Sequence, residues 1–412
     1  MAFTFSTDES FSYETLRAIA YTPYDGADFG EVAAAVHRVT AGDVESWYAQ
    51  WCSLAQRTEA IAEQAARGGH GESARCAYLR AANYYRTAEF YLRDDPQNDS
   101  RVVATWEHGV RCFRDALALS TFRSRRVGIP YAGIELEGYF IEGGERDEPR
   151  PTLLAHGGFD STVEEMYFTA AAAAVRRGWN CLIFEGPGQG AALRREGLPF
   201  RADWEAVVTP AVDYALTLPE VDPSQVALLG MSMGGFLAPR AAAFEHRLAA
   251  CVAFDGVYDF GAALRQVALS AGDGGPNDLE SVLSRRHELP TNLKWLLSNA
   301  VWTFGTDRGD ELRSMTSAYT MEGIADRITC PTLVCDGEED EFAMTGQAQQ
   351  LYDALTCDKE LMVFTAAEGA QSHCQMGALT LFHQRAFDWL DDVVRPSKQH
   401  DEVSGRLAQA PR

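Results

Sequence analysis

At 412 residues, with 46% hydrophobic and 11% aromatic content, the chain is long enough for a large core or two domains, and its composition excludes a disordered protein. A formal net charge of −23 excludes nucleic acid and anionic membrane surfaces as partners by repulsion. The nine cysteines are odd in number, scattered and without a CxxC pair, which points to buried free thiols rather than a disulfide framework.

The first stretch, "MAFTFSTDESFSYETLR", has neither the basic start nor the apolar centre of a signal peptide. No segment approaches the roughly 18 uninterrupted apolar residues of a membrane helix. A soluble, cytoplasmic protein is expected.

Residues 1–122 read as helical. "DVESWYAQWCSLAQRTEAIAEQAARGG" sets Trp47, Trp51, Leu54, Ala55, Ile61 and Ala62 near one face and stops at Gly68-Gly69. "GESARCAYLRAANYYRTAEFYL" and "SRVVATWEHGVRCFRDALALS" continue as two further helices. One helix pair is too few for a solenoid.

From residue 123 the pattern changes to strands and helices. "RRVGIPYAGIELEGYFIEGG" alternates like a strand pair. Six apolar runs follow at helix-length intervals: "PTLLAHGG", "NCLIFEGPG", "VALLG", "ACVAFDG", "CPTLVCDG" and "ELMVFTAAEG". Continuous apolar runs alternating with helices predict an α/β fold with a mostly parallel, doubly wound sheet over residues 123–395. Most of the runs end in glycine turns at the carboxyl edge, where such sheets bind ligands. The interval after "ACVAFDG", about 70 residues, is too long for a crossover. It contains "GDGGPND" and "LPTNLKWLLSNAVWTFG", and predicts a helical insertion at about 260–325 lying over the sheet edge. Residues 396–412 are polar and are expected to form a flexible tail.

Within "VALLGMSMGGFLAPRAAAFE", Gly230-Met231-Ser232-Met233-Gly234 falls where a buried strand gives way to a helix. That is the setting of a G-x-S-x-G nucleophile elbow: glycines let two backbones crowd, and the turn lifts the serine hydroxyl clear. Serine needs a base, and the base needs a carboxylate to orient it. In this fold the order is serine, acid, histidine. Of nine histidines, His373 and His383 follow Ser232 within the later sheet region. His373 lies in the polar loop "EGAQSHCQMG" and is the expected base, while His383 lies on a helix and reads as structural. The acid is expected from "CPTLVCDGEEDEF", which offers Asp336, Glu338, Glu339, Asp340 and Glu341. Asp340, just past the Gly337 turn, is preferred; Asp336 is placed to hold the turn, and Asp255 in "VAFDG" competes.

An oxyanion needs two amide donors. One is expected from Met233, the other from Gly158 or Phe159 in "LLAHGGFDS", between which the sequence does not choose. "FEGPGQGAALRREG" lacks the lysine and spacing of a phosphate loop, so nucleotide binding is rejected and the turn is assigned to the pocket wall. No cofactor is expected, and no cluster has metal-ligand spacing.

Together these residues resemble the α/β-hydrolase superfamily. The closest resemblance is to the branch holding 2,6-dihydroxypseudooxynicotine hydrolase, the fungal heptaketide hydrolases and the fermentation-respiration switch proteins. The more specific signals are "SARCAYLRAANYYRTAEFYL", "CPTLVCDGEEDEF" and "EGAQSHCQ", with Cys76 standing where an acidic residue is expected. The resemblance implies an N-terminal helical cap over residues 1–122, a pocket between cap and core, a homodimer, and a triad of Ser232, Asp340 and His373. It also implies a small aromatic substrate cleaved through an acyl-serine, either at a carbon–carbon bond beside a ketone or at an ester. The alternatives are an acyltransferase, cyclase or lyase using the same residues, or a binding protein on a hydrolase scaffold. Trp295, Trp302, Phe304, Tyr84, Tyr85, Tyr167 and Phe168 are candidates for the pocket wall. Helical spacing also suits each of them to core packing, so two or three of the seven are expected to touch ligand.

Overall fold

A computed structural model describes residues 4–144, 148–262, 264, 266, 279–340, 342 and 346–395. "GDGGPND", Glu341 and the tail at 396–412 lie outside the described residues.

Five helices precede the first strand: α1 (Glu9–Ala20), α2 (Phe29–Val36), α3 (Val44–Arg67), α4 (Gly71–Glu89) and α5 (Ser100–Ala118). Aspartates begin four of them. Asp8, Asp28, Asp43 and Asp99 accept the backbone amides of Phe11, Gly30, Ser46 and Arg101, satisfying donors that a helix start leaves unpaired. α3 ends at Gly68-Gly69, with Gly69 in the left-handed region at φ +76°. Trp47 and Trp51 are fully buried, as their spacing requires. Ile61 is the exception on that face: it is 52% exposed, while its neighbour Ala62 is buried.

The eight strands are β1 (Ser124–Tyr131), β2 (Ile134–Ile141), β3 (Arg150–His156), β4 (Asn180–Phe184), β5 (Val221–Met231), β6 (Ala250–Phe254), β7 (Thr332–Gly337) and β8 (Lys359–Phe364). They form one sheet in the order β1-β2-β4-β3-β5-β6-β7-β8. The β1–β2 hairpin is antiparallel, as the alternation predicts, and β2 also joins β4 antiparallel. Every other pairing is parallel. β4 and β6 are buried at every position because helices cover both faces, which is why their sequences run apolar without alternation. β1 at one edge carries charge instead, with Arg125 and Arg126 paired to Glu142 and Glu137.

The long interval after β6 contains the helices Leu279–Ser284, Thr291–Phe304 and Gly309–Thr316. The parallel arrangement puts the ends of β3, β5, β6, β7 and β8 on one edge. The Gly157-Gly158 turn, Ser232, Asp255, Asp340 and His373 all follow from that edge. All nine cysteines are free thiols.

Candidate active site

β5 ends at Met231, and the helix Gly234–Ala242 begins two residues after Ser232. So sharp a reversal forces Ser232 to φ +62°, a strained value for a residue with a side chain. Hydrogen bonds hold it there: the Ser232 amide donates to the Phe254 carbonyl at 2.8 Å, and the Gly235 amide donates to the Ser232 carbonyl at 2.7 Å. The glycines answer to space. A Cβ on Gly234 would lie 2.9 Å from the Gly157 carbonyl oxygen, and one on Gly235 would overlap the carbonyl oxygen of Asp255.

The Ser232 hydroxyl meets His373 Nε2 at 2.8 Å, and His373 Nδ1 lies 2.7 Å from an Asp340 carboxylate oxygen. Three side chains 33 and 141 residues apart in the chain are thus linked through one imidazole. Burial works against a charged His373. The Asp340 carboxylate, followed by Cys374, Tyr13 and Asp255, overcomes this and holds the imidazole pKa well above its ordinary value. Burial and the neighbouring Asp255 and Asp340 carboxylates push Asp336 up to about 6. His383 reads as the sequence suggests: it is buried, with Nδ1 against the Tyr24 hydroxyl and Nε2 against the Thr169 carbonyl. Asp255, His373 and Cys374 are the one grouping of possible metal ligands among the described residues. Both nitrogens of that imidazole are already engaged, however, by Ser232 on one side and by carboxylates on the other.

The turn after β3 lies against the elbow. A Cβ on Gly158 would stand 2.6 Å from the Met233 amide nitrogen, so only glycine permits the approach. The structure separates the two amides that the sequence leaves open. Gly158 N–H donates to the Ser161 hydroxyl at 3.1 Å. No intramolecular acceptor takes the amide of Phe159 or of Met233 among the described residues.

This turn is braced from three sides. Gln189 Nε2 donates to the carbonyls of Gly157 and Gly158 at 2.9 and 3.0 Å. Asn299 of the insertion donates to the Phe159 carbonyl at 3.0 Å. Arg17 of α1 and Arg86 of α4 both donate to the carboxylate of Asp160, at 2.7 and 2.9 Å, within a buried group that also holds Glu14 and Glu165. Charges this deep are costly unless paired, and here each arginine meets several carboxylates. Burial raises the Glu14 carboxyl, with Arg17 and Arg86 opposing, whereas the same two arginines outweigh burial at Asp160 and lower it. The "FEGPGQG" turn therefore does not wall the pocket; through Gln189 it supports the Gly157-Gly158 turn from behind.

A cavity of about 610 Å³ opens over Ser232, His373, Met233 and Phe159. Its apolar wall includes Phe260, Phe342 and Met376, together with Leu293, Trp295 and Leu296 from the insertion. The opposite wall is the segment from Thr4 to Arg17, rich in hydroxyls, which the sequence pattern did not single out. Of the seven aromatic candidates only Trp295 lines this space; its ring stacks on Phe90 at 4.5 Å between centroids.

The other six are packing residues. Tyr84 donates to Glu31 and Tyr85 to Glu59, both within the helical layer. Tyr167 packs on Phe113, Phe168 stacks on Tyr21, and Phe304 contacts Tyr319. Trp302 lies under the guanidinium groups of Arg93 and Arg194. Each satisfies a helical face, and spacing alone does not tell which face is turned to the cavity.

The geometry agrees with what the chain is similar to. The description of the α/β hydrolase family matches residues 152–377, and that of the FrsA-like esterases matches residues 38–261. Hydrolase acrC of Aspergillus aculeatus is 34% identical over 425 residues, covering 95% of this chain and 98% of that one. The 20-hydroxy-prefusarin hydrolase of Gibberella moniliformis is 35% identical over 408 residues, covering 93% and 96%. Among solved structures, 2,6-dihydroxy-pseudo-oxynicotine hydrolase superposes with a TM-score of 0.74 at 24% identity, over 92% of this chain and 97% of that one, which shows a shared fold. The eight-stranded sheet, the serine at the β5 turn and these matches lead to one conclusion: the chain belongs to the α/β hydrolase family.

Proposed function

We propose that this protein is a serine-dependent hydrolase of a small organic molecule. Ser232 is the nucleophile, His373 the base, Asp340 its orienting acid, and the amides of Phe159 and Met233 form the oxyanion site. The observation that carries this reading is the 2.8 Å contact of Ser232 Oγ with His373 Nε2, in a cavity also lined by Phe159 and Met233, whose amides have no intramolecular acceptor among the described residues.

Ser232 adds to the substrate carbonyl as His373 takes its proton. The alkoxide that forms is held by two fixed N–H groups, one of them at the positive end of the helix Gly234–Ala242. Each such donor is worth about 3 kcal/mol in the transition state. Collapse expels the leaving group, which takes the proton from His373. Water, deprotonated by the same imidazole, then releases the acid and restores Ser232. From an ester the departing oxygen leaves as the alcohol, protonated by His373 as the C–O bond breaks. A carbon–carbon bond breaks only if the departing carbanion is delocalised, so the substrate is then a β-diketone or an acylated phenol. The name of one relative, 20-hydroxy-prefusarin hydrolase, gives that protein a small-molecule substrate, and a cavity of about 610 Å³ suits one here.

Labelling by a fluorophosphonate probe tests the reading: the native protein takes the label and Ser232→Ala does not. Absence of label on the native protein favours a binding protein on the same scaffold.

The pH dependence has a definite sign. Neutral His373 is the active base, and its surroundings favour the charged form. The labelling rate is therefore expected to rise with pH, reaching half its maximum above the ordinary imidazole value of about 6.5. A half-maximum at or below that value contradicts the assignment. Burial lowers His156 to about 4 and His383 to about 3, so neither contributes to this limb. The raised value also means that His373 stabilises the fold fully below about pH 6.5, an effect lost as pH rises through its folded-state pKa.

Trp295→Ala is expected to raise KM for a bulky aromatic ester about tenfold with little change in kcat, since the ring supplies uniform binding worth ~1.4 kcal/mol. Steady-state kinetics on a series of esters of increasing size measures this; an unchanged KM across the series removes Trp295 from the substrate wall.

A further inference from the structure

The acid that competes with Asp340 in the sequence is not idle in the fold. Asp255 directly follows β6, at φ +65°, and is 1% exposed. One of its oxygens lies 2.9 Å from His373 Nδ1, beside the 2.7 Å approach of Asp340 to the same nitrogen. That oxygen also accepts the Cys374 amide at 2.5 Å, and its partner oxygen accepts the Gln375 side-chain amide at 2.8 Å. Cys374 and Gln375 both stand at positive φ, +51° and +48°, a costly pair for residues with side chains. The Asp255 carboxylate holds this turn, and with it the backbone that sets where His373 points.

Among the described residues, His373 is the only ion-pair partner of Asp255. A buried carboxylate needs positive charge nearby. The proton that His373 takes from Ser232 supplies it at the moment of reaction.

We infer that Asp255 is a second positioning carboxylate for His373, sharing the Nδ1 proton with Asp340. This rests on the proposed role of Ser232 and His373. The other titratable groups facing the imidazole are Tyr13, whose hydroxyl donates to the His373 carbonyl at 3.1 Å, and the Cys374 thiol; Asp336 lies beyond the two acids. The imidazolium thus faces two carboxylates instead of one, and its orientation survives the loss of Asp340.

The test compares native protein, Asp340→Asn, Asp255→Asn and the double variant by the rate of fluorophosphonate labelling across pH. Loss of a lone orienting acid costs ~10⁴-fold. With two carboxylates, Asp340→Asn is expected to lose only about 10- to 100-fold and the double variant to fall at least 100-fold further. The acid limb of the profile is expected to move to lower pH in each single variant, because one carboxylate stabilises the imidazolium less than two.

A ~10⁴-fold loss in Asp340→Asn, with the double variant no slower, overturns the inference. So does an Asp255→Asn protein that melts earlier but keeps the native acid limb, which is the signature of a purely structural staple. If Asp255→Asn does not fold, the size of the Asp340→Asn loss alone decides. Failure of the parent reading looks different: native protein then takes no label, or Ser232→Ala labels as fast as native.

Discussion

Ser232→Ala is expected to lower turnover of an activated ester by roughly 10⁴- to 10⁶-fold, with thermal unfolding close to that of the native protein. Among the described residues the serine hydroxyl hydrogen-bonds to His373 alone, and its backbone bonds to Phe254 and Gly235 do not involve the side chain. The elbow should therefore survive the change. Alanine at φ +62° carries the same strain that serine already bears there. Residual turnover above the uncatalysed rate is then the share of the two amides and of substrate binding. Steady-state kinetics together with a melting curve measures both halves of this expectation. A variant that keeps a tenth of native turnover places the nucleophile elsewhere.

Gly235→Ala is expected to have the largest effect on stability, about 3 kcal/mol or more, because the added methyl meets backbone rather than a movable side chain. The atom it meets is the carbonyl oxygen of Asp255, at the end of β6. The elbow helix and β6 would have to part, moving Ser232 and Asp255 together. The effect is thus double: a lower denaturation midpoint, and labelling impaired even in the fraction that remains folded. Urea unfolding and labelling of the same preparation measure the two. A variant as stable as native would mean that the helix and strand do not pack as closely as described.

Much of the site was legible in the sequence, for physical reasons. The β5 turn announces itself because a buried strand, a serine and flanking glycines meet only where backbones crowd. The order of motifs leaves His373 and His383, the polar loop favours His373, and Asp340 is the preferred acid; the structure places His373 Nε2 2.8 Å from Ser232 Oγ and its Nδ1 2.7 Å from Asp340. The strands were legible because helices cover both faces of the sheet and leave uninterrupted apolar runs.

What stayed hidden depends on tertiary contact. The difference between the amides of Gly158 and Phe159 comes from the hydroxyl of Ser161, which captures the first of them. Six of the seven aromatic candidates lie away from the cavity because a helix carries several faces, and Tyr84 and Tyr85 turn theirs to Glu31 and Glu59. Asp255 competes with Asp340 in the sequence because both end a strand beside the same edge, and the structure brings both to one nitrogen.

The least legible element was α1. Its sequence, "ESFSYETLRAIA", carries no catalytic signature. Yet Tyr13 reaches the His373 carbonyl and Arg17 reaches Asp160, the residue after Phe159. This one helix thus touches both the loop of His373 and the loop of Phe159. Such a role follows from where the helix docks, and docking is not written in local periodicity.

The proposed chemistry requires a hydroxyl at the end of the fifth strand to be activated by an imidazole distant in the chain. Peptide mapping of the fluorophosphonate adduct by mass spectrometry tests this most directly. A single adduct on Ser232, formed by the native protein and lost from His373→Ala, is the expected result. An adduct on another residue, or one on Ser232 that forms as fast without His373, contradicts it.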